Sequence, residues 1–303
     1  MLSRMLDFLR RILGGESDKP VEGVTTAPLS DQQVQSILHG ENMPFEMQQL
    51  VAASGQSVGK QREHNEDSLL ALTMTLAGKS TNVPFGLYIV ADGMGGHQYG
   101  EVASNAAVRV IAGQIFRKFH SYLFALPTQQ PEESLQEIME NAVKEAHHAV
   151  QKDAPGSGTT LTAALVLGQQ VTIGHVGDSR AYAIFPPGQV EQLTHDHSLV
   201  KRLEELGHLN KEEAANFPHR NVLIRALGQG DNLEVDIFTI PFPHNGSLML
   251  CSDGLWGVIG ENEITRSVMD APTLERACQN MVSAANIAGG PDNISVILVQ
   301  MIG

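Results

Sequence analysis

The sequence predicts an α+β layered fold in which antiparallel sheets carry helices on their outer faces. Three observations carry that expectation. Short apolar runs bounded by Gly, Pro, Asn or Asp recur from about residue 51 onward. They come in clusters joined by tight turns such as "VLGQQV" and "IFPPGQV", instead of alternating singly with helices as a parallel doubly wound sheet requires. A length of 303 residues with 42% hydrophobic side chains allows a sizeable core.

The N-terminus "MLSRMLDFLRRILGG" comes first. Leu2, Met5, Leu6, Leu9, Ile12 and Leu13 recur at helical spacing while Arg4, Asp7, Arg10 and Arg11 fall elsewhere, so residues 1–14 are expected to form an amphipathic helix. The charges interrupt any signal-peptide core. Docking on this chain or on a partner and peripheral contact with a membrane surface both stay open, and one short helix alone binds lipid weakly. Residues 15–50 read as a linker, polar and proline-containing through "ESDKPVEGVTTAPLS", with room for a short helix from Asp31 to Leu50. The main domain is expected over residues 51–303.

Within it, strands are expected at Ser68–Thr75, Phe85–Val90, Thr159–Leu167, Gln170–His175, Arg180–Phe185, Leu233–Ile240, Ser247–Cys251 and Asn293–Met301. Helices are expected at Glu101–Phe119, Glu132–Lys152 and Thr273–Ala288. No internal repeat is visible.

Composition excludes several functions. A net charge of −14 and no basic patch in the body of the chain argue against nucleic acid as a partner. Two cysteines, Cys251 and Cys278, make no disulfide framework, and a reducing compartment is expected, with peripheral attachment at the inner membrane face left open. No run of eighteen apolar residues spans a bilayer.

One pattern recurs at strand ends. "LYIV" runs into Ala91-Asp92-Gly93, "SLMLCS" into Asp253-Gly254 and "VTIGHV" into Gly177-Asp178-Ser179, while Asp292 precedes the last strand. Each alone is ordinary turn chemistry. Together with Arg62, Glu66 and Asp67 of "REHNEDS", they would crowd carboxylates that raise one another's pKa unless a cation intervenes. The donors are all hard oxygens, which suits Mg²⁺ or Mn²⁺ better than zinc. A dinucleotide cradle does not fit, since Gln98 stands where G-x-G-x-x-G needs its third glycine, and a Walker signature is absent.

Five ordered blocks, "GKQREHNEDS", "VADGMGGHQYGEVAS", "GSGTTLTAAL…HVGDSRAY", "LCSDGLWG" and "GGPDNISVILV", resemble the metal-dependent protein phosphatases of type 2C (PPM family) in their bacterial form. The resemblance spans roughly Val51 to Met301 and implies two stacked antiparallel β-sheets flanked by helices on both sides. It implies a serine/threonine phosphatase whose substrates are phosphorylated proteins, the targets of a serine/threonine kinase. It implies that Glu66, Asp92 and the Gly93 carbonyl hold one ion and Asp92, Asp253 and Asp292 a second. Asp178 with Asp253 would hold a third, weaker ion, Asp67 would orient water, and Arg62 would bind phosphate. The expected reaction is attack on phosphorus by a water activated between two Mn²⁺ or Mg²⁺ ions.

Met94 departs from the pattern. Eukaryotic members place a histidine there as the proposed acid for the leaving group, so no general acid is assigned, and His97 belongs to the bacterial pattern without a role. His195 and His197 of "THDHS" read as a polar loop, and His147 and His148 as structural. Residues 195–229 correspond to the flap beside the site, where Arg220 and Arg225 meet an acidic phosphopeptide or only brace the flap. Two alternatives stay open: a non-catalytic partner-binding module of the same fold, and a phosphatase dedicated to one phosphorylated regulator. Loss of metal acids would favour the first, and none is lost.

Overall fold

Period-two alternation along the strands shows how the layers are built. The structure, a computed structural model, describes residues 48–78, 81–95, 98–124, 132–210, 213–214, 217–218 and 221–303. The expected helix over residues 1–14, nearly all of the linker, His97 and Arg220 lie outside the described residues.

Along β3 (Thr81–Met94), Phe85, Leu87, Ile89 and Ala91 enter a core shared with two helices, α1 (Gln98–Phe124) and α2 (Leu135–Asp153). Tyr88 and Val90, on the other face of the strand, enter a different core between the two sheets. β10 (Ser247–Cys251) and β11 (Ile294–Ile302) repeat the pattern. Leu248, Leu250, Ile297 and Val299 face the inter-sheet core, whereas Met249, Cys251, Val296 and Leu298 face α5 (Glu261–Met269) and α6 (Leu274–Ile287). Three apolar layers therefore separate helix, sheet, sheet and helix.

The first sheet runs in the order β1 (Gln49–Ser57), β11, β10, β7 (Arg180–Phe185), β8 (Gln189–Gln192). The second runs β2 (Asp67–Gly78), β3, β5 (Leu161–Leu167), β6 (Gln170–Val176), β9 (Asp236–Pro241), with the two-residue β4 (Gly158–Thr159) paired to β3. Every pairing is antiparallel. This is the α+β sandwich of two antiparallel sheets with helices on both outer faces.

The helices follow from local sequence. Ser134 caps α2 by accepting the Glu137 amide while the Glu137 carboxylate accepts the Ser134 amide, and Ile138, Met139, Ala142, Val143, Ala146 and Val150 form its buried stripe. Gly174 on β6 has no side chain because a Cβ would stand 2.7 Å from Met139, so α2 can lie close on the sheet. Cys251 and Cys278 are free, buried thiols.

Five elements escaped the sequence reading: β1, β8, α3 (Leu199–Glu205), α4 (Asp253–Trp256) and α5. Conversely, the strand expected from Leu233 begins only at Asp236, and the helix expected from Glu132 begins at Leu135, after its cap. Among the described residues, no helix is long and apolar enough to cross a membrane.

Candidate active site

Antiparallel pairing alone sends the acids to one end of the sandwich. Asp67 opens β2 directly opposite Asp92 near the end of β3. Val90 pairs with Thr162 and Leu161 with Val176, which brings the Gly177-Asp178 turn to the same end. In the other sheet Cys251 pairs with Val296, so Asp253 just after β10 and Asp292 just before β11 also share an end.

Hydrogen bonds lock those two ends together. Ser252 donates to Asp67 Oδ2 at 2.8 Å and accepts the Ser295 amide at 3.0 Å, bridging the sheets. Asn293 accepts the Glu66 amide at 2.8 Å and donates to the carbonyls of Val58 and His64 at 2.8 and 2.9 Å, which fixes the loop that carries Arg62 and Glu66. The Asp92 amide donates to Thr160 Oγ1 at 2.9 Å, and Thr160 Oγ1 lies 2.7 Å from Ser179 Oγ, tying the Asp92 and Asp178 turns. Two glycines admit close approach: a Cβ on Gly93 would overlap the Gly100 carbonyl, and one on Gly100 would lie 2.7 Å from Glu66 Oε1.

Electrostatics register the convergence. Burial, and then the charges of Asp67, Asp253, Asp178 and Asp292, push Asp92 well above the ordinary carboxylate range. Burial likewise raises Asp67 to about 7, against hydrogen bonds from Ser295 and Ser252 that lower it, with Asp253 and Asp292 adding to the rise. Asp178 is raised by burial, Asp253 and Asp196, and Arg180 opposes the rise. Arg62 donates to Asp292 at 2.6 Å. Burial would lower its pKa, but Asp292, Glu66 and Asp92 hold it above the ordinary value, so it stays a cation.

A cleft of about 490 Å³ opens beside these groups, lined among others by Arg62, Asp178, Asp253, Asp292, Lys201 and Trp256. Trp256 donates from Nε1 to the Asp178 carbonyl at 2.9 Å, and the Arg180 guanidinium stacks 3.4 Å above its ring while pairing with Asp196 at 2.8 and 2.6 Å.

The donor set fits hard divalent cations. It consists of carboxylates and carbonyls, and Asp67 Oδ1 is buried with no hydrogen-bond partner among the described residues, as a group awaiting a water or an ion would be. Among the described residues no three His, Cys, Asp or Glu side chains stand ready-made around one point. The mutual repulsion recorded above opposes such a cage until positive charge is supplied, and Arg62 lies on Asp292 instead.

"THDHS" is a loop as read, but its His197 is buried and bonded to Gly177 and Asp236, whereas His195 contributes its carbonyl to His175 Nε2 at 2.9 Å. His147 is structural, its Nδ1 accepting the Gly228 amide at 3.1 Å. Arg225 pairs with Glu234 at 2.6 Å and Asp236 at 3.2 Å, bracing the chain after the flap. Asn293, Ser252, Thr160, Ser179 and Trp256 were given no role from the sequence. For Asn293, Ser252 and Ser179 the signal was there: a small polar residue beside a strand-end acid, buried and therefore obliged to bond.

The acidic end, with Arg62 beside it and an open cleft, offers hard oxygen donors for divalent cations and a fixed positive charge for an anionic substrate. A sequence model described as Protein phosphatase 2C matches residues 54–294, and the chain belongs to that family. The Listeria monocytogenes protein named Serine/threonine phosphatase stp is 39% identical over 244 residues, 80% of this chain and 92% of its own. The crystal structure of the Mycobacterium tuberculosis serine/threonine phosphatase PstP/Ppp is 30% identical with a TM-score of 0.69, covering 84% of this chain and all of the other. The catalytic domain of PstP in complex with 2 manganese ions, 28% identical, gives a TM-score of 0.67 over 85% of this chain and 100% of its own.

Proposed function

We propose that this chain is a protein serine/threonine phosphatase that hydrolyses phosphoserine and phosphothreonine with Mn²⁺ or Mg²⁺ as cofactor. The observation that carries the reading is the meeting of Asp67, Asp92, Asp178, Asp253 and Asp292, drawn from both sheets, beside the Arg62 cation and an open cleft. Glu66, Asp92 and the Gly93 carbonyl would hold one ion, Asp92, Asp253 and Asp292 a second, and Asp178 with Asp253 a third. When bound, such ions neutralise the carboxylates and supply an acidified water as the attacking group.

The chain's own residues do the rest. Arg62 is half-exposed, and its planar fork can take two phosphate oxygens and oppose charge that builds during displacement. Asp67, held by Ser252 with its Oδ1 buried and unbonded among the described residues, would orient a water beside the reacting centre. Ser252 and Asn293 tie the ends of the two sheets together, which keeps the backbone carrying the acids and the Arg62 loop at one end of the sandwich.

The test is turnover of a phosphothreonine peptide with Mn²⁺ and with EDTA. EDTA is expected to remove activity, and Mn²⁺ to restore it. Arg62→Ala is expected to cost on the order of 10²-fold in kcat/KM, and Arg62→Lys to recover only part, because a point charge cannot bind bidentately. Activity indifferent to EDTA would sink the reading.

We further propose that residues 1–14 dock on a partner or a membrane surface independently of catalysis, on the amphipathic spacing of Leu2, Leu6, Leu9 and Leu13. Deleting residues 1–30 is expected to leave turnover of p-nitrophenyl phosphate unchanged. A large loss on deletion would refute that separation.

A further inference from the structure

His197 has a side chain only 7% exposed, yet it bonds to three separate parts of the molecule. Its amide donates to the Gly177 carbonyl at 2.7 Å, and its Nδ1 accepts the Gly177 amide at 3.2 Å, so residue 197 closes a two-bond ring on the turn that carries Asp178. Its carbonyl accepts the Ile224 amide at 2.9 Å, and the neighbouring Ser198 bridges Leu223, which anchors the far end of the flap. Its Nε2 lies 3.2 Å from Asp236 Oδ2, at the first residue of β9.

The bonds fix one tautomer. The Gly177 amide can only donate, so Nδ1 carries no proton, and Nε2–H donates to Asp236. Arg225 Nη1, also 3.2 Å from Nε2, is a second donor and sends its hydrogen to Asp236 Oδ1 instead. Burial, the largest cause, lowers the His197 pKa and the Arg225 charge adds to this, while Asp236 pulls the other way; the neutral form the ring requires is the favoured one. The turn needs such a clamp because Gly177 sits at φ 106°, where a Cβ would press within 2.7 Å of Thr160, leaving no side chain of its own to anchor it.

We propose that His197 is a positioning residue, whose neutral imidazole holds the Asp178 turn and the flap segment 222–225 in one fixed relation along the wall of the cleft. A loosened His197 lets the turn and flap move separately, which degrades binding of an extended phosphopeptide more than that of a small ester. Only this kinetic consequence rests on the phosphatase reading.

The experiment compares His197→Ala, His197→Asn and His197→Gln in the full chain, by amide hydrogen exchange with and without Mn²⁺. Asn places an acceptor where Nδ1 stands, and Gln places its amide near the position of Nε2. His197→Ala is expected to speed exchange about ten-fold at residues 177–179 and 222–225 while β5 and β10 keep their protection. His197→Asn is expected to restore it, and His197→Gln is not. The phosphopeptide KM is expected to rise about ten-fold relative to that for p-nitrophenyl phosphate in His197→Ala, and to fall back in His197→Asn. Unchanged exchange in His197→Ala, or equal exchange in the Asn and Gln variants, overturns the clamp. Faster exchange with an unmoved KM ratio overturns its part in holding substrate. If His197→Ala does not fold, the Asn and Gln variants decide alone.

Discussion

Asp92→Asn is expected to lower phosphopeptide turnover by at least about 10³-fold while raising the melting temperature of the metal-free protein. The substitution keeps the shape of the side chain and leaves the backbone bonds to Thr159 and Thr160 in place. What it removes is a charge that burial and four neighbouring aspartates disfavour. The same repulsion that makes the site avid for cations penalises the fold without them.

The pH dependence follows with a definite sign. A carboxyl whose folded pKa lies above its unfolded value keeps a proton in the folded state that the unfolded chain has already released, so its contribution is present at low pH and is lost as pH rises through the folded value. For Asp67 that window runs from its ordinary 3.8 to about 7, and Asp92 and Asp178 are shifted in the same direction. The metal-free protein is therefore expected to lose stability from these groups between mildly acid and neutral pH, by roughly 1–3 kcal/mol. For a chain of this size each kcal/mol corresponds to about 2–4 °C in Tm. Added Mn²⁺ should cancel the loss, and Asp92→Asn should flatten it. Thermal melts from pH 5 to 8, with and without Mn²⁺, check both; a metal-free Asp92→Asn protein that melts below the parent at pH 8, or turns over normally, contradicts the argument.

The legible part of the molecule was the part whose local sequence carries its own cause. β10 was bounded correctly at Ser247–Cys251 because an apolar run this short between polar turns has the length of a strand and not of a helix. The strand-end aspartates were visible because Asp92 and Asp253 follow such runs and Asp292 precedes one. β1 was missed because "QLVAASGQS" is rich in Ala, Ser and Gly, and its order comes from pairing with β11 along its whole length. α5 was missed because Gly260, the residue before its first turn, offers no side-chain cap. His197 looked like loop because its neighbours in sequence are polar, while its partners lie 20 residues away at Gly177 and 39 away at Asp236. Propensity and period do not reach that far. The metal acids were legible as types, but the hydroxyls and amides that aim them belong to the tertiary structure.

Gly254→Ala is expected to cripple both stability and turnover, although it adds one methyl group far from any charge change. Gly254 lies in α4, immediately after Asp253, and a Cβ there would overlap the Asn293 carbonyl, a backbone atom that no rotamer change can move aside. Relief requires α4 and the Asp292-Asn293 turn to separate. Asn293 carries the Glu66 amide and the loop of Arg62, so that separation displaces acids from both proposed metal sites and the phosphate-binding cation together. Overpacking of this kind costs about 1–3 kcal/mol or more, and a misplacement near 1 Å in such a site costs on the order of 10²-fold in rate. Gly113→Ala provides the contrast: it lies inside α1 with nothing within 4 Å of the added carbon, so helix propensity alone operates and the variant should gain up to about 1 kcal/mol. Urea unfolding and phosphopeptide kinetics on the pair separate the two effects. If Gly254→Ala unfolds at the parent's urea concentration and keeps its turnover, the close approach of α4 to the Asp292 turn does not organise the site.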